Sequence, residues 1–239
     1  MSRSLSSFNP KGLTMMGNTI GQISKGAPEG MGLCVCNSGD YPLETRPELL
    51  ALAMRIISAW SILDSYITRS FAHMVGDEGK AAIAMYESLG STRTRHTTLK
   101  TAAKVSLTPV HYAILETLLW MYNKRVSFRN RVAHHLWGYS SAAKDGIVLM
   151  SPNEYVELET QDIKDRDWTK ITVFERDDFE KALTKAEELG AWFHDFYFLV
   201  IDHVGAVEIL QTLLSEPRLQ SSLTRFLPKD QNSPSTQQQ

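Results

Sequence analysis

The sequence contains almost no cysteine. Cys34 and Cys36 are the only two in its 239 residues. A single intervening residue makes a disulfide between them geometrically awkward. Two thiols without further cysteines or nearby histidines are also too few ligands for a structural zinc site. This usage favours a reduced, cytoplasmic protein.

Long apolar runs and a strong net charge are missing as well. No stretch approaches 18 unbroken apolar residues, so we expect no membrane-spanning helix and no membrane partner. The first residues lack the apolar core of a signal peptide. A net charge of −2 gives no bulk attraction for nucleic acid, so such a partner must be bound by a local basic patch. The 43% hydrophobic and 22% charged residues are typical of a globular protein.

The composition divides the chain into three parts. Residues 1–44 are rich in serine, glycine, asparagine and proline, and they predict a disordered or loosely packed segment. Residues 225–239 are polar and predict a disordered tail. Residues 45–224 have helical periodicity, and we expect one mainly α domain of about five to six helices in an up-and-down bundle.

Capping signals mark the starts of the predicted helices. Thr45 and Glu48 form a capping box around Pro47, and Thr108 precedes Pro109 in the same N-terminal pattern. The predicted helices span residues 45–75, 77–89, 91–105, 110–137, 179–204 and 206–223. Residues 138–173 instead contain short β-prone runs with a turn signal near Gly146. They predict a small hairpin or three-stranded patch inserted after the fourth helix.

That fourth helix, residues 110–137, has polar residues in an apolar stripe. At about 100° per residue, one face collects a set of apolar residues: Leu115, Leu119, Tyr122, Val126, Ala133 and Trp137. Arg129 lies within this face, whereas Asn130 and His134 lie along its flank. His135 diverges from His134 by about 100°, so the two imidazoles are not a chelating pair, which needs i,i+4 spacing.

Two interpretations of these polar residues are open. An arginine on a core face can extend its head to water, and a histidine near a helix C-terminus can complement the helix dipole. Alternatively, the three side chains form a site. Arg129 offers a fixed cation with a fork that matches phosphate, Asn130 orients neighbours by hydrogen bonds, and His134 offers an imidazole for proton transfer. The concentration of complementary groups on one helix favours a site.

The motif Arg129-Asn130-x-x-x-His134 on a long helix resembles the signature of the HEPN superfamily, with His135 also meeting the looser spacing of that motif. The flanking text RNRVAHHLWG is similar to bacterial members. In the first-helix stretch AWSILDSYI, Asp64 occupies the place where an acidic or polar residue of that family can face the active site. The resemblance covers roughly residues 46–204, and the insertion lies outside the family core.

The resemblance implies a homodimer whose motif helices form a composite cleft, with no cofactor and no metal. It implies a metal-independent endoribonuclease, acting as a toxin or in anti-phage defence, with Arg129, Asn130 and His134 as catalytic residues. His135 and Asp64 are possible supporting residues. RNA attack by its own 2′-OH needs proton transfer and stabilisation of phosphoryl charge, which histidine and arginine supply. The products would end in 2′,3′-cyclic phosphate and 5′-OH.

A basic face on the third predicted helix is a candidate RNA-binding surface, although it is equally consistent with a solvated helix face. Its residues are Arg93, Arg95, Lys100 and Lys104. Two further functions stay open: a non-catalytic RNA- or nucleotide-binding dimer, and a protein that binds an antitoxin or another defence-system partner. A metal site would have to use the later acidic and histidine cluster, whose ligands diverge on their helix: His194, Asp195, Asp202 and His203.

Overall fold

The computed structural model describes residues 33–36, 46–76, 80–140, 146–160, 172–202 and 204–227. The chain divides into two compact units. The helical unit comprises Glu48–Ala133 and Asp177–Gln239, and the sheet unit comprises Met1–Pro47 and His134–Arg176. The described part of the chain is mainly helical with a small antiparallel sheet, which confirms the predicted fold class at that level.

Eight helices are present in the described residues. They are α1 (Pro47–Met74), α2 (Lys80–Glu87), α3 (Thr92–Ser106), α4 (Pro109–His134), α5 (Pro152–Thr160), α6 (Arg176–Val200), α7 (Ala206–Ser215) and α8 (Pro217–Leu223). Ser91 caps α3 by accepting a hydrogen bond from the Thr94 N–H, and Thr108 caps α4 by accepting one from the His111 N–H. The Thr108 cap agrees with the sequence signal, and the Ser91 cap lies at the start of the helix predicted over residues 91–105.

The core of the helical unit lies between α1, α4 and α6. On α1 the buried apolar residues recur at three- and four-residue spacing, as expected for an amphipathic helix, and include Leu49, Leu52, Ile56, Trp60, Leu63 and Ile67. The Trp60 ring packs edge-to-face on Tyr122 of α4, with centroids 4.9 Å apart. Phe128 of α4 meets Phe179 of α6 in the same way at 5.2 Å. These contacts fix the α4 face that carries the motif.

Helix α1 also has the length and apolar composition that crossing a membrane requires, with a mean hydropathy of 1.3 over its best 18-residue window. The sequence expectation considered only unbroken apolar runs and therefore passed over this helix. A third of the window, 33%, is buried inside the protein. Core helices of soluble proteins meet the same criterion.

The sheet unit contains four antiparallel strands in the order β1 (Leu33–Cys36), β2 (Leu136–Ser140), β3 (Gly146–Met150) and β4 (Val173–Glu175). Strand β2 pairs with β3 in the register Trp137↔Leu149 and with β1 in the register Trp137↔Cys36. All five residues of β3 are buried. The region of the predicted insertion therefore contributes three strands, one of the two predicted alternatives, and β1 adds a fourth that was not predicted.

Several predicted boundaries are wrong. The fourth predicted helix does not reach Trp137, because α4 ends at His134 and Trp137 pairs within the sheet. The last predicted helix is two helices, because Pro217 pushes Glu216 into the extended region at φ −66° and ψ 113°. Helix α5 was not predicted. The expectations for the rest of residues 1–44, for the Thr45 cap, for the start at Asp77 and for residues 228–239 lie outside the described residues.

Candidate functional site

A cavity of about 510 Å³ lies in the helical unit among α1, α2, α3 and α4. Arg129 and Asn130 of the motif line it, and so does Asp64 of α1. Three predicted site residues thus come together from two helices that are well separated in the sequence. Four cationic side chains line the cavity, Arg93, Arg95, Lys100 and Arg129, against one carboxylate, Asp64. A concave surface with this excess of positive charge attracts anions.

Asp64 and Arg129 are held by neighbours on α4. The Tyr122 hydroxyl donates to Oδ1 of Asp64 at 3.0 Å, and Nη1 of Arg129 donates to Oδ1 of Asn130 at 3.2 Å. Burial raises the pKa of Asp64, and the hydrogen bond from Tyr122 and the charges of Arg129 and Arg95 partly offset this. Nε of Arg129 is buried and has no hydrogen-bond partner within the described part of the chain. Arg129 therefore retains an unused donor.

His96 of α3 is a further imidazole of this cavity. It is 8% exposed, and its ring packs edge-to-face on Tyr122 with centroids 4.8 Å apart. Burial lowers the pKa of His96 to about 4, with a smaller contribution from the charge of Lys100. The side chain is therefore neutral at pH 7 and can both donate and accept a hydrogen bond.

His96 should make the stability of the protein depend on pH. Its pKa is about 4 in the folded protein, against the ordinary histidine value of 6.5 in the unfolded chain, so below pH 6.5 protons bind the unfolded chain preferentially. The contribution of His96 to the free energy of unfolding is therefore fully present above pH 6.5, and it falls by roughly 3 kcal/mol as the pH decreases towards 4. Urea denaturation at pH 7.5 and pH 4 should show a smaller loss for His96→Gln than for the wild type. Equal losses would contradict this.

The predicted RNA-binding face is largely engaged in contacts within the protein. Nε of Arg95 donates to the Leu89 carbonyl at 3.0 Å and its Nη2 to the Glu87 carbonyl at 2.7 Å, next to the C-terminal end of α2. Nζ of Lys100 pairs with Glu116 at 2.7 Å.

The other two cations of that face differ from each other. Lys104 lies 5.8 Å from the centre of the Tyr112 ring and does not line the cavity. Arg93 is exposed and lines the cavity. The face is therefore not a free basic stripe, although Arg93, Arg95 and Lys100 contribute their charge to the cavity.

The two motif histidines are not among the residues that line the cavity. His134 is exposed and is the last residue of α4, where the division between the two units falls. Asn130 lies four residues earlier in the same helix, which places the two on one flank of it. Nδ1 of His135 is buried and has no hydrogen-bond partner in the described ranges. Of the two imidazoles, only His134 is freely accessible to solvent.

Three ring side chains of the cavity were not assigned to a site from the sequence: Tyr86, His96 and Tyr122. Tyr122 lies on the apolar face predicted for the fourth helix, and His96 lies on the predicted third helix. Tyr86 had no signal, because its spacing from Ala82 on α2 is the ordinary spacing of a helix face. The alternative metal cluster gains no support, since the described residues contain no group of potential ligands that could hold a metal ion, and His203 lies outside them.

The apolar stripe of α4 is already used within the single chain. Leu115, Leu119 and Tyr122 are at most 5% exposed, Val126 is half-buried, and Ala133 is exposed. Leu119 and Tyr122 are therefore covered within the single chain, with α1 and α3 packed on Tyr122, and these two residues offer little surface to a second copy. Most of the exposed surface of α4 lies in its last twelve residues, 123–134.

Comparison with family models, with curated proteins and with solved structures finds no match to this chain.

Proposed function

We propose that this chain is a HEPN-type, metal-independent endoribonuclease of the cytoplasm that acts in anti-phage defence or as a toxin. The observation that carries the proposal is the convergence of Asp64, Arg129 and Asn130 in one cavity with excess positive charge. The resemblance selected these residues from the sequence, independently of their positions in the fold. A cationic cavity with a carboxylate and an amide suits a phosphodiester together with its ribose.

In the proposed reaction the ribose 2′-OH loses its proton and its oxygen attacks the adjacent phosphorus. The P–O5′ bond breaks, and the leaving 5′ oxygen takes up a proton. Arg129 stabilises the additional negative charge on the phosphoryl oxygens, and Asn130 orients the Arg129 guanidinium through their hydrogen bond. His134, at the exposed end of α4, is the proposed proton-transfer group. The products end in 2′,3′-cyclic phosphate and 5′-OH.

The assembly remains a proposal as well. A homodimer would have to use the exposed residues 123–134 of α4, since the earlier part of the helix is covered within the chain. That surface carries Asn130 and His134, so a two-fold contact would place both copies of the motif near the axis. Light scattering of the purified chain measures the oligomeric state directly. An antitoxin or defence-system partner is the other proposed assembly.

A second function has one observation in its favour. Because His134 does not line the cavity, the cavity can bind RNA or a nucleotide without cleaving it. In that case the protein is a non-catalytic RNA-, nucleotide- or partner-binding member of the same superfamily. Its signature would be saturable RNA binding that is weakened by Arg129→Ala, together with intact RNA after prolonged incubation.

Cleavage should persist when metal ions are removed. Proton transfer and charge stabilisation come from histidine and arginine side chains in the proposed reaction, so Mg²⁺ has no step to perform. The purified protein should cut single-stranded RNA at the same rate with or without excess EDTA and leave 2′,3′-cyclic phosphate ends. Activity that disappears with EDTA and returns with Mg²⁺ or Mn²⁺ would refute the proposed chemistry.

A further inference from the structure

The first turn of α3 borders the cavity and has hydrogen-bond donors that the protein leaves unused. Thr92 and Arg93, the first two residues of the helix, both line the cavity. The Ser91 cap accepts from the Thr94 N–H, whereas the N–H groups of Thr92 and Arg93 have no acceptor among the described residues. Free N–H groups and the positive end of the helix dipole favour an anion at such a turn. This preference is common to helix N-termini and does not by itself identify a site.

His96, one turn further along α3, is the second feature. It lines the cavity and is 8% exposed. Neither ring nitrogen makes a hydrogen bond to a described residue, and neither belongs to the fully enclosed polar atoms that have no partner. Both nitrogens are therefore accessible, and the space that this otherwise buried ring borders is the cavity. Side chains four residues apart share one face of a helix and lean towards its N-terminus, so His96 lies on the side of Thr92.

The charges of α3 favour a phosphate at this turn. The Arg93 guanidinium is exposed and makes no hydrogen bond or ion pair with a described residue. Arg95 and Lys100, in contrast, are engaged with the carbonyl groups at the end of α2 and with Glu116. The carboxylate of the cavity, Asp64, belongs to α1. The turn thus combines a free cation, free N–H groups and an imidazole donor, and its helix contains no acidic residue.

We propose that the first turn of α3 is a second phosphate site of the cavity, in which the N–H groups of Thr92 and Arg93, the Arg93 guanidinium and the His96 imidazole bind an RNA phosphate adjacent to the one that is cleaved. The inference rests on the proposed function, because it takes RNA as the ligand and Arg129 as the residue at the cleaved phosphate. Arg129 belongs to α4, so the two phosphates are bound by different helices. His96 is a binding residue in this role and transfers no proton.

Probes that cannot be cleaved separate the two phosphates. They are a dinucleotide whose 2′-hydroxyl groups are replaced by fluorine, and the same dinucleotide with an added 5′- or 3′-phosphate, with Kd measured by calorimetry. At least one added phosphate should tighten binding to the wild type by roughly tenfold or more, the worth of a hydrogen bond to a charged group. Arg93→Gln and His96→Gln should each reduce this gain to about threefold or less.

Thr92→Asp separates phosphate binding from the stability of the helix. A carboxylate in the first turn interacts favourably with the helix dipole, so the melting temperature should stay equal or rise. The same carboxylate repels a phosphate, so the affinity gain from the added phosphate should disappear. A first turn with a purely structural role would show the effect on stability and keep the gain.

His111→Gln and Arg69→Gln are the matched controls. His111 is a half-buried imidazole of α4 and Arg69 is an exposed cation of α1, and neither lines the cavity. Both variants should keep the full gain. The inference is overturned if neither added phosphate tightens binding to the wild type, or if the gain survives any of the three substitutions in α3. RNA cleavage by the wild type is measured separately, so the proposed function stands when only the phosphate gain is missing, whereas absence of both cleavage and oligonucleotide binding refutes both.

Discussion

Arg129→Ala should lower the rate of RNA cleavage by roughly 10²–10³-fold, the usual cost of removing a transition-state charge stabiliser, with the helical unit still folded. The loss follows from the position of the guanidinium, which lines the cavity and has a buried Nε without a partner among the described residues. Its Nη1 donates a hydrogen bond to Oδ1 of Asn130. Removing Arg129 also withdraws one of the charges that offset the burial of Asp64, so a modest fall in melting temperature should accompany the loss of rate.

Two variants sharpen this prediction. Arg129→Lys should not restore cleavage, because an ammonium group lacks the planar fork that binds a phosphoryl group through two parallel hydrogen bonds. Arg131→Ala is the matched control, since Arg131 is exposed on the same helix and does not line the cavity; its cleavage rate should stay near that of the wild type. Circular dichroism melting accompanies each rate. If Arg129→Ala cleaves RNA at the wild-type rate, Arg129 takes no part in the reaction.

The convergence of Asp64 with the motif could be predicted from the sequence only by resemblance. Helical periodicity places Asp64 beside the apolar stripe of α1 and Arg129 within that of α4, but it gives no angle between the two helices. That angle is fixed by packing, chiefly by Trp60 against Tyr122. Tyr86 and His96 were not predicted for the same reason. Each lines the cavity because of the way α2 and α3 pack against α1 and α4, which periodicity does not give.

The basic face shows why a charge pattern on one helix is an incomplete guide to binding. Lys100 meets Glu116, which lies on α4 and also accepts a hydrogen bond from Tyr112. Arg95 instead donates to the carbonyls at the end of α2. Both cations lie on α3, whereas Glu116 lies on α4 and the carbonyl groups lie at the end of α2. The α3 sequence alone therefore could not predict these contacts.

Helix α5 was also not predicted, although its start has a local sequence signal. Ser151 and Glu154 form a reciprocal capping box, with the Glu154 N–H donating to the Ser151 hydroxyl at 3.2 Å and the Ser151 N–H to Oε2 of Glu154 at 2.7 Å. With Pro152 at the first helical position, this is a standard helix start. The surrounding β-prone runs obscured it. The end of α4 had no such signal, because pairing of Trp137 with β3 overrides a helical spacing that continues through it.

His134→Ala is expected to have the largest effect on cleavage, a loss of about 10²–10⁴-fold if it transfers the proton, with no change in melting temperature. His134 is exposed at the end of α4, and surface substitutions of this kind usually change stability by no more than about 0.5 kcal/mol. A structural role would have the opposite signature, in which activity falls only as the fold is lost. Cleavage rate and melting temperature are therefore measured on the same preparation.

His135→Ala is the matched control for the same motif. Nδ1 of His135 is buried, so this substitution should change the melting temperature, whereas cleavage by the folded protein should fall less, because His135 lies beyond the end of α4 and is less exposed than His134. His134→Ala is thus expected to change mainly the cleavage rate, and His135→Ala mainly the melting temperature. A dead His135→Ala beside an active His134→Ala would show that the other imidazole of the motif transfers the proton. If both variants cleave at the wild-type rate, the motif histidines have no part in the reaction, and the non-catalytic binding function becomes the better account of the cavity.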